Sequence, residues 1–599
     1  MNPRAWLSPE RLSIDRIAVL CWLVAAAIGL VVYRDAIATL GLRDADDSLR
    51  LVQVRDLLAG QSWFDVTQYR INPAEGGGLM HWSRFVDVQI AALIWLFGLV
   101  LAPDAAERWA VGIYPLLLIL PLFLLLGRIL SILGDRRQAI AGLLVATTAI
   151  TFLHYFAPLR IDHHNWQLLL SVAMLWLALD APTFRRGVAA ALVITAHVEI
   201  SLEGLPYLVI FGALFALEWL RDPRGAPRLA GFAAGLVVIP AAWLLLFRGW
   251  QSLATIYCDS FSLPYVAGTA VAASILFAGT QFSAMGASWR QRALLLGLAG
   301  LAGGATFLML GRVCLDGPFG DLEPLVRIYW YDQVMEGRPL WVQRPDIALL
   351  WLMPTLVGLG ATLWAWARAQ HTIGAENWSR VLLVVLTSSL LSMLVFRTGA
   401  TTHAYLIPAF GALAAGLWGW SRARATALRR IGGAMLVLTA IPAVDAFVAA
   451  SAAKRILPGR LDTSAAERAA KQETCPSTAM LLPLRSAPPA LIFASIDIGP
   501  ELLVRTRHRV IATGHHRNHA AMNRVITAFL SEPAAARPIV QASGARLLAV
   551  CTQLPEMQSY ADAKPGGLAA RLSRGETVDW LVYDPTLSSG EFRAYRIRR

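Results

Sequence analysis

Lysine is almost missing from this 599-residue chain: Lys454, Lys471 and Lys564 are the only three among 53 basic residues. Charge of either sign is scarce as well. Charged residues make up 16% of the sequence, against about a quarter in soluble domains, which excludes a disordered, charge-rich chain. The five cysteines (Cys21, Cys258, Cys314, Cys475 and Cys551) are too few for a disulfide-built scaffold, and they show no CxxC spacing that would write a zinc module. What the chain has in excess is apolar residues, 56% by count, with a mean hydropathy of +0.53 and long blocks in place of alternation. The formal net charge of +13 is an arginine excess, and no nucleic-acid partner is expected from it. The composition is that of a polytopic α-helical membrane protein.

A spanning helix needs roughly 20 mainly apolar residues. Thirteen segments qualify, near 16–33, 107–133, 138–157, 166–181, 186–200, 206–220, 229–248, 264–283, 291–310, 346–369, 379–397, 403–420 and 429–450. The first is too long for a cleaved signal and no small-residue cleavage site follows it. The apolar run Val88–Leu101 is short for a span and reads as an interfacial or re-entrant helix. With it excluded, one set of short loops collects Arg136, Arg137, Arg185, Arg186, Arg221, Arg224, Arg228, Arg290, Arg292, Arg368, Arg380, Arg422, Arg424, Arg429 and Arg430. The N-terminal Arg4, Arg11 and Arg16 fall on the same side. The positive-inside rule makes that side cytoplasmic. The expected placement is therefore the inner (cytoplasmic) membrane, with the N-terminus inside and the C-terminus in the periplasm.

The chain divides into a transmembrane domain, 1–450, and an extracytoplasmic α/β domain, 451–599. In the second, strand-length runs (Ala490–Ile498, Arg509–Ala512, Leu547–Cys551, Trp580–Tyr583) alternate with helical stretches such as His519–Phe529. Cys475 and Cys551 lie there, either bridged or as two buried thiols.

Ionisable groups beside a bilayer are costly, so their clusters are functional candidates. Three outer loops hold them: 34–106, 158–166 and 311–345. The first carries Asp44, Asp46, Asp47, Arg50, Arg55, Asp56 and the run His81-Trp82-Ser83-Arg84. The second carries Arg160-Ile161-Asp162-His163-His164. The third carries Asp316, Asp321, Glu323, Asp332 and Glu336, with Arg327, Tyr329, Trp330, Tyr331 and Trp341 as aromatic and basic surroundings. Carboxylates with an imidazole suit a divalent cation, Mn or Mg. The competing reading is helix capping, with Asp46 and Asp47 opening a loop helix and Asp162 opening the fourth span.

These motifs resemble the catalytic subunit of the oligosaccharyltransferases, within the GT-C glycosyltransferases. Asp46-Asp47-Ser48-Leu49-Arg50 resembles the family's first-loop motif, with Asp46 in the metal-binding place. Asp162-His163-His164 falls at its second acidic motif, with His164 in place of the second acid. Val334-Met335-Glu336-Gly337-Arg338-Pro339 resembles its SVSExxP segment, which implies a metal and acceptor role for Glu336; Glu323 is the rival. Arg397 sits where the family places an arginine on the lipid-linked phosphate, and His403 could share that role. Ser495-Ile496-Asp497-Ile498-Gly499 takes the place of WWDYG, keeping Asp497 and Gly499 but neither tryptophan, so recognition of a Ser/Thr sequon is not carried over.

The resemblance implies a GT-C fold with about thirteen spans and an extracytoplasmic transferase. It would move a sugar or oligosaccharide from a polyprenyl-phosphate or pyrophosphate carrier to an acceptor (protein, polysaccharide or lipid), with inversion. Asp46, Asp162 and Glu336 are the expected catalytic residues. Asp46, Asp162, His164 and Glu336 would hold the metal. Asp47, His163, Trp82, Arg84, Asp497 and His516 would contact donor or acceptor, and membrane lipids would surround the spans. Single-sugar GT-C transferases of the protein mannosyl or aminoarabinose type, and a flippase of lipid-linked sugars using His197, Glu199 and Glu203, are the alternatives.

Overall fold

The computed structural model describes residues 13–282, 286–372, 374–456 and 475–598. Arg4 and Arg11, and the start of the C-terminal region at 457–474, lie outside the described residues. Most of the chain is helix. Among the described residues, eight helices are long and apolar enough to cross a membrane, or up to ten if each of two bent pairs is one span. The bent pairs are Arg136–Ala146 with Ile150–Phe156, turning by 54°, and Ala427–Ala440 with Pro442–Ile456, turning by 85°. Three further segments expected as spans are the helices His164–Leu179 (16 residues), Phe184–Ile200 (17) and Gly399–Arg422 (24). The count of thirteen therefore rests on helices that fall short of that length-and-apolarity test as well as on those that meet it. Many helices turn large side chains outward: Val209, Leu301 and Met309 are 67%, 76% and 83% exposed. Apolar surface on that scale needs lipid to cover it.

Val88–Leu101 falls largely in a 15-residue helix, Arg84–Gly98, too short to span the bilayer core. Ser83 caps it by accepting from the Phe85 N–H. Before it, helix Ala45–Leu58 is buried on every side from Asp47 to Val54, because it is wedged between Arg84–Gly98 and the helix Gly499–Arg505 of the C-terminal region. A small antiparallel ribbon, β1 (Thr67–Gln68) with β2 (Gly78–Leu79), follows it in the same loop.

The C-terminal sheet runs β4-β3-β5-β7-β6. Its strands are β3 (Leu491–Ala494), β4 (Arg509–Val510), β5 (Leu547–Cys551), β6 (Leu581–Tyr583) and β7 (Phe592–Ile597). Strands β4, β3 and β5 are parallel, while β7 pairs antiparallel with both β5 and β6. Every residue of β5 is buried, as a parallel strand covered on both faces should be. Helix His519–Leu530 supplies part of that cover through Ala521, Met522, Val525, Ile526 and Phe529.

The first loop is joined to this sheet. Ile71 bridges Val510 in parallel, with Asn72 N–H donating to Val510 C=O at 2.8 Å and Val510 N–H to Arg70 C=O at 2.9 Å. Arg70 adds bonds to the carbonyls of Leu503 and Thr506, and Arg55 to that of Val504. Two disulfides reinforce this face. Cys475–Cys551 is bridged, as the sequence allowed. Cys258–Cys314, which the sequence did not reveal, ties the loop after helix Ala226–Arg248 to the start of the third long loop.

Candidate active site

The site is assembled from five separate segments. Asp44, not Asp46, caps helix Ala45–Leu58, its carboxylate accepting the Asp46 N–H at 3.0 Å. Asp47, one residue on, is fully buried and points to the second loop. It accepts the N–H groups of Ile161 and Asp162 at 2.8 and 3.0 Å and an Arg160 N–H at 3.2 Å. Arg160 is the hub, donating also to Asp44 and to Asp162 at 3.0 and 2.9 Å. Asp162 accepts the His164 N–H at 3.0 Å, so the capping reading holds in part, and its carboxylate also faces the His164 ring.

His164 is buried, and its orientation is fixed from behind. Nδ1 meets Gln167 Oε1 at 2.6 Å, which leaves Nε2 facing Asp162 Oδ2 at 3.9 Å and Glu336 Oε1 at 3.7 Å. Glu336 in turn accepts from Arg397 at 2.9 Å, and Arg397 pairs on its other side with Glu203. The rival Glu323 is elsewhere, bonded to His519 at 2.8 Å. A small cavity lined by Tyr155, His164, His197, Glu203, Tyr207 and Arg397 adjoins the cluster.

Six carboxylates (Asp44, Asp46, Asp47, Asp162, Glu203 and Glu336) are thus gathered around two guanidinium groups. The Asp46 carboxylate makes no hydrogen bond or ion pair among the described residues. Burial first, and then the charges of Asp44, Asp162 and Glu336, push it up to about 7. Burial acts in the same sense on Asp162 and Glu336. At Asp162 the charges of Arg160, His164 and His163 with the His164 N–H together outweigh it, and at Glu336 His164 and Arg397 do, so both stay below the usual carboxylate range.

The donor set suits a divalent cation: an orphaned carboxylate, an excess of negative charge and an imidazole nitrogen held in place by its partner on the far side of the ring. The ligand atoms are not drawn together. Among the described residues, the one group of three or more His, Cys, Asp or Glu side chains whose ligand atoms lie within 4.8 Å of one another is His81, His515 and His516. The acids stand wider apart because Arg160 takes an oxygen of Asp162 and Arg397 takes one of Glu336.

Other expected contact residues are placed differently. Arg84 is fully buried, donating to the carbonyls of Gln53 and Asp65 and to Gln61 and Asp87. Arg84 and Asp47 are both fully buried and hold their surroundings in place. His403 is buried against a different helix, with Nε2 at 3.0 Å from Thr355 Oγ1 and from Trp351 C=O, so only Arg397 faces the cluster. Trp82 is buried under Arg50, whose guanidinium lies 4.3 Å from its ring. His163 lies beside His164, their rings 4.6 Å apart. Asp497 is exposed on a turn whose Ile496 and Asp497 N–H groups are held by Glu556 at 2.7 and 2.9 Å. His516 belongs to the histidine group. Glu199, offered for a transport path, is neutralised by Arg248 at 3.0 Å and bonded to Ser83.

Arg160 and Asp44 stand in the charged loops that the sequence marks, but no role was expected of either. Their signal was present in the adjacency of Arg160 to Asp162 and in the position of Asp44 just before a helix.

No family model matches the chain, and no curated protein matches it in sequence. Solved structures do. The archaeal oligosaccharyltransferase AglB from Archaeoglobus fulgidus, in complex with an inhibitory peptide and a dolichol-phosphate, superposes with a TM-score of 0.62 at 14% identity, over 97% of this chain and 74% of that one. The Archaeoglobus fulgidus oligosaccharyltransferase tethered to an acceptor peptide containing the NVT sequon gives 0.61 at 14% identity, with the same coverage. Its complex with Zn and sulfate gives 0.56 at 15%, over 96% of this chain and 73% of that one. The chain has the oligosaccharyltransferase-like GT-C fold, with membrane helices and a sheet-containing C-terminal region.

Proposed function

We propose that the protein is a glycosyltransferase that moves a sugar or oligosaccharide from a polyprenyl-phosphate or pyrophosphate carrier to an acceptor at the outer face of the inner membrane. The observation that carries this reading is the uncompensated carboxylate of Asp46, beside Asp162, His164 and Glu336 and one step from Arg397. Asp46, Asp162, His164 and Glu336 would hold a divalent cation, Mn or Mg. When bound, it supplies charge neutralisation for a departing phosphate.

The chain's own residues do the rest. The acceptor attacks the anomeric carbon as the carbon–oxygen bond to the carrier phosphate breaks, and the electron pair stays on the phosphate oxygen. Arg397 pairs with that oxygen through a charge-assisted hydrogen bond. Asp46 or Glu336 takes the proton from the acceptor. Attack from the side opposite the leaving group inverts the anomeric carbon. Arg160, Asp47 and Gln167 hold these groups in place.

The arginine-rich loops put the N-terminus in the cytoplasm and the acid cluster outside, where lipid-linked rather than nucleotide sugars are available. Of the similar solved structures, one holds a dolichol-phosphate with an inhibitory peptide and another a tethered acceptor peptide. A protein acceptor is compatible with that likeness, and the absence of tryptophan at Ser495–Gly499 supports a different acceptor motif from the NVT sequon. Purified protein given manganese and a labelled polyprenyl-phosphate sugar should release the carrier, and Asp46→Ala or Asp162→Ala should abolish release while the protein stays folded. Carrier movement across vesicles without bond cleavage would replace this reading with a flippase.

A further inference from the structure

We propose that His81, His515 and His516 form a zinc site, distinct from the acid cluster, that staples the first loop to the C-terminal region. One ligand atom from each lies within 4.8 Å of the others. His81 Nδ1 and His515 Nε2 are 2.9 Å apart. The His516 ring lies 4.8 Å from both the His81 and the His515 rings. Three nitrogens around a tetrahedral zinc, each about 2.0–2.1 Å from it, would stand roughly 3.3 Å from one another, so small ring rotations suffice.

The surroundings are those of a metal-ligating histidine. His516 Nε2 meets Asp259 Oδ2 at 2.6 Å, which leaves Nδ1 as the nitrogen for a metal. Asp259 is itself fixed by Arg517 at 2.6 and 2.8 Å. A carboxylate behind an imidazole fixes its tautomer and strengthens it as a ligand. His515 is 3% exposed, and its Nε2, 2.9 Å from His81 Nδ1, is the nitrogen that faces the group.

The chemistry selects the ion. An all-imidazole set suits zinc and its transition-metal neighbours and not Mg or Ca, which take oxygen ligands. Three protein ligands leave a fourth position for water. Three chain segments meet here: the turn before helix Arg84–Gly98, the turn before helix His519–Leu530, and the loop of Asp259, which the Cys258–Cys314 bridge anchors. Trp82 stands between this group and the acid cluster, its ring 5.9 Å from that of His515 and 6.3 Å from that of His163.

The test uses the full chain carrying Asp46→Ala and Asp162→Ala, which removes the acid cluster as a metal site. After chelation and equilibration with zinc, elemental analysis should find one zinc per chain, and X-ray absorption at the zinc edge should show an imidazole shell. Adding His515→Gln and His516→Asn should abolish that zinc, and adding Asp259→Asn alone should weaken zinc binding about 10–100-fold. No zinc retained by the Asp46/Asp162 variant, or a carboxylate-dominated shell, overturns the proposal even if the histidine variants fail to fold. Undiminished zinc in folded histidine variants overturns it too.

Discussion

Two charged clusters grow from one helix, Ala45–Leu58, and they differ in balance. Toward the middle of that helix, Arg50 pairs with Asp87 at 3.0 Å, Gln53 donates to Asp87 at 2.6 Å, and Arg84 closes on Asp87 at 3.3 Å, all fully buried. That carboxylate is surrounded by donors. At the N-terminal end, Asp46 faces other acids and has no partner of its own. The first cluster is scaffold: one carboxylate shared by two guanidinium groups fixes helix Arg84–Gly98 against its neighbour. The second keeps an excess of negative charge that the protein does not satisfy, and the proposed chemistry belongs there. An excess of negative charge, with one carboxylate left unpaired, separates the candidate site from the framework, where every carboxylate oxygen meets a donor.

Breaking each cluster should give opposite phenotypes. Asp87→Ala leaves Arg50 and Arg84 buried without a counter-charge and should cost about 3–5 kcal/mol of stability, read as a fall in Tm. Asp46→Ala should lower carrier release by about 10²–10³-fold while leaving Tm unchanged or raised, because it removes a repelled carboxylate. If Asp46→Ala unfolds the protein, the two clusters are alike and the distinction fails. Replacing Cys258 and Cys314 with serine should cost about 2–4 kcal/mol, measured by denaturant unfolding, without removing any group from the acid cluster.

The pH dependence sharpens the contrast further. The Asp46 carboxyl is raised to about 7, so a proton competes with the cation as pH falls through that value. At limiting manganese, apparent affinity should drop about tenfold per unit below pH 7. Saturating manganese should move the limb to lower pH. Asp87 variants that remain folded should show no such shift in their metal dependence.

Much of this was legible in the sequence because it is local. The Asp162-His163-His164 run stands at the start of a span that hydropathy marks, the acids at 44–47 and Glu336 stand in the loops between spans, and strands β3, β4, β5 and β6 fall in the expected apolar runs. Strand β7 was missed because its mix of Arg593, Arg596 and apolar residues, RAYRI after Phe592, has no clear run to mark it. The Cys258–Cys314 bridge, the Asp259–His516 bond and the meeting of His81 with His515 join residues far apart in the chain, and no period or spacing carries such pairings. Asp47 and Arg84 were expected as contact residues because they are charged and adjacent to the motif; both are buried, with hydrogen bonds to neighbouring loop groups that the sequence does not show.

The central claim is that the uncompensated carboxylates around Asp46 require a divalent cation for the carrier to leave. Its most direct measurement is carrier release from a labelled polyprenyl-phosphate sugar in the presence of a chelator and again after manganese is restored. The account predicts no release with chelator and full recovery with manganese in the wild type, with no recovery in Asp46→Ala. Equal release with and without chelator would contradict it.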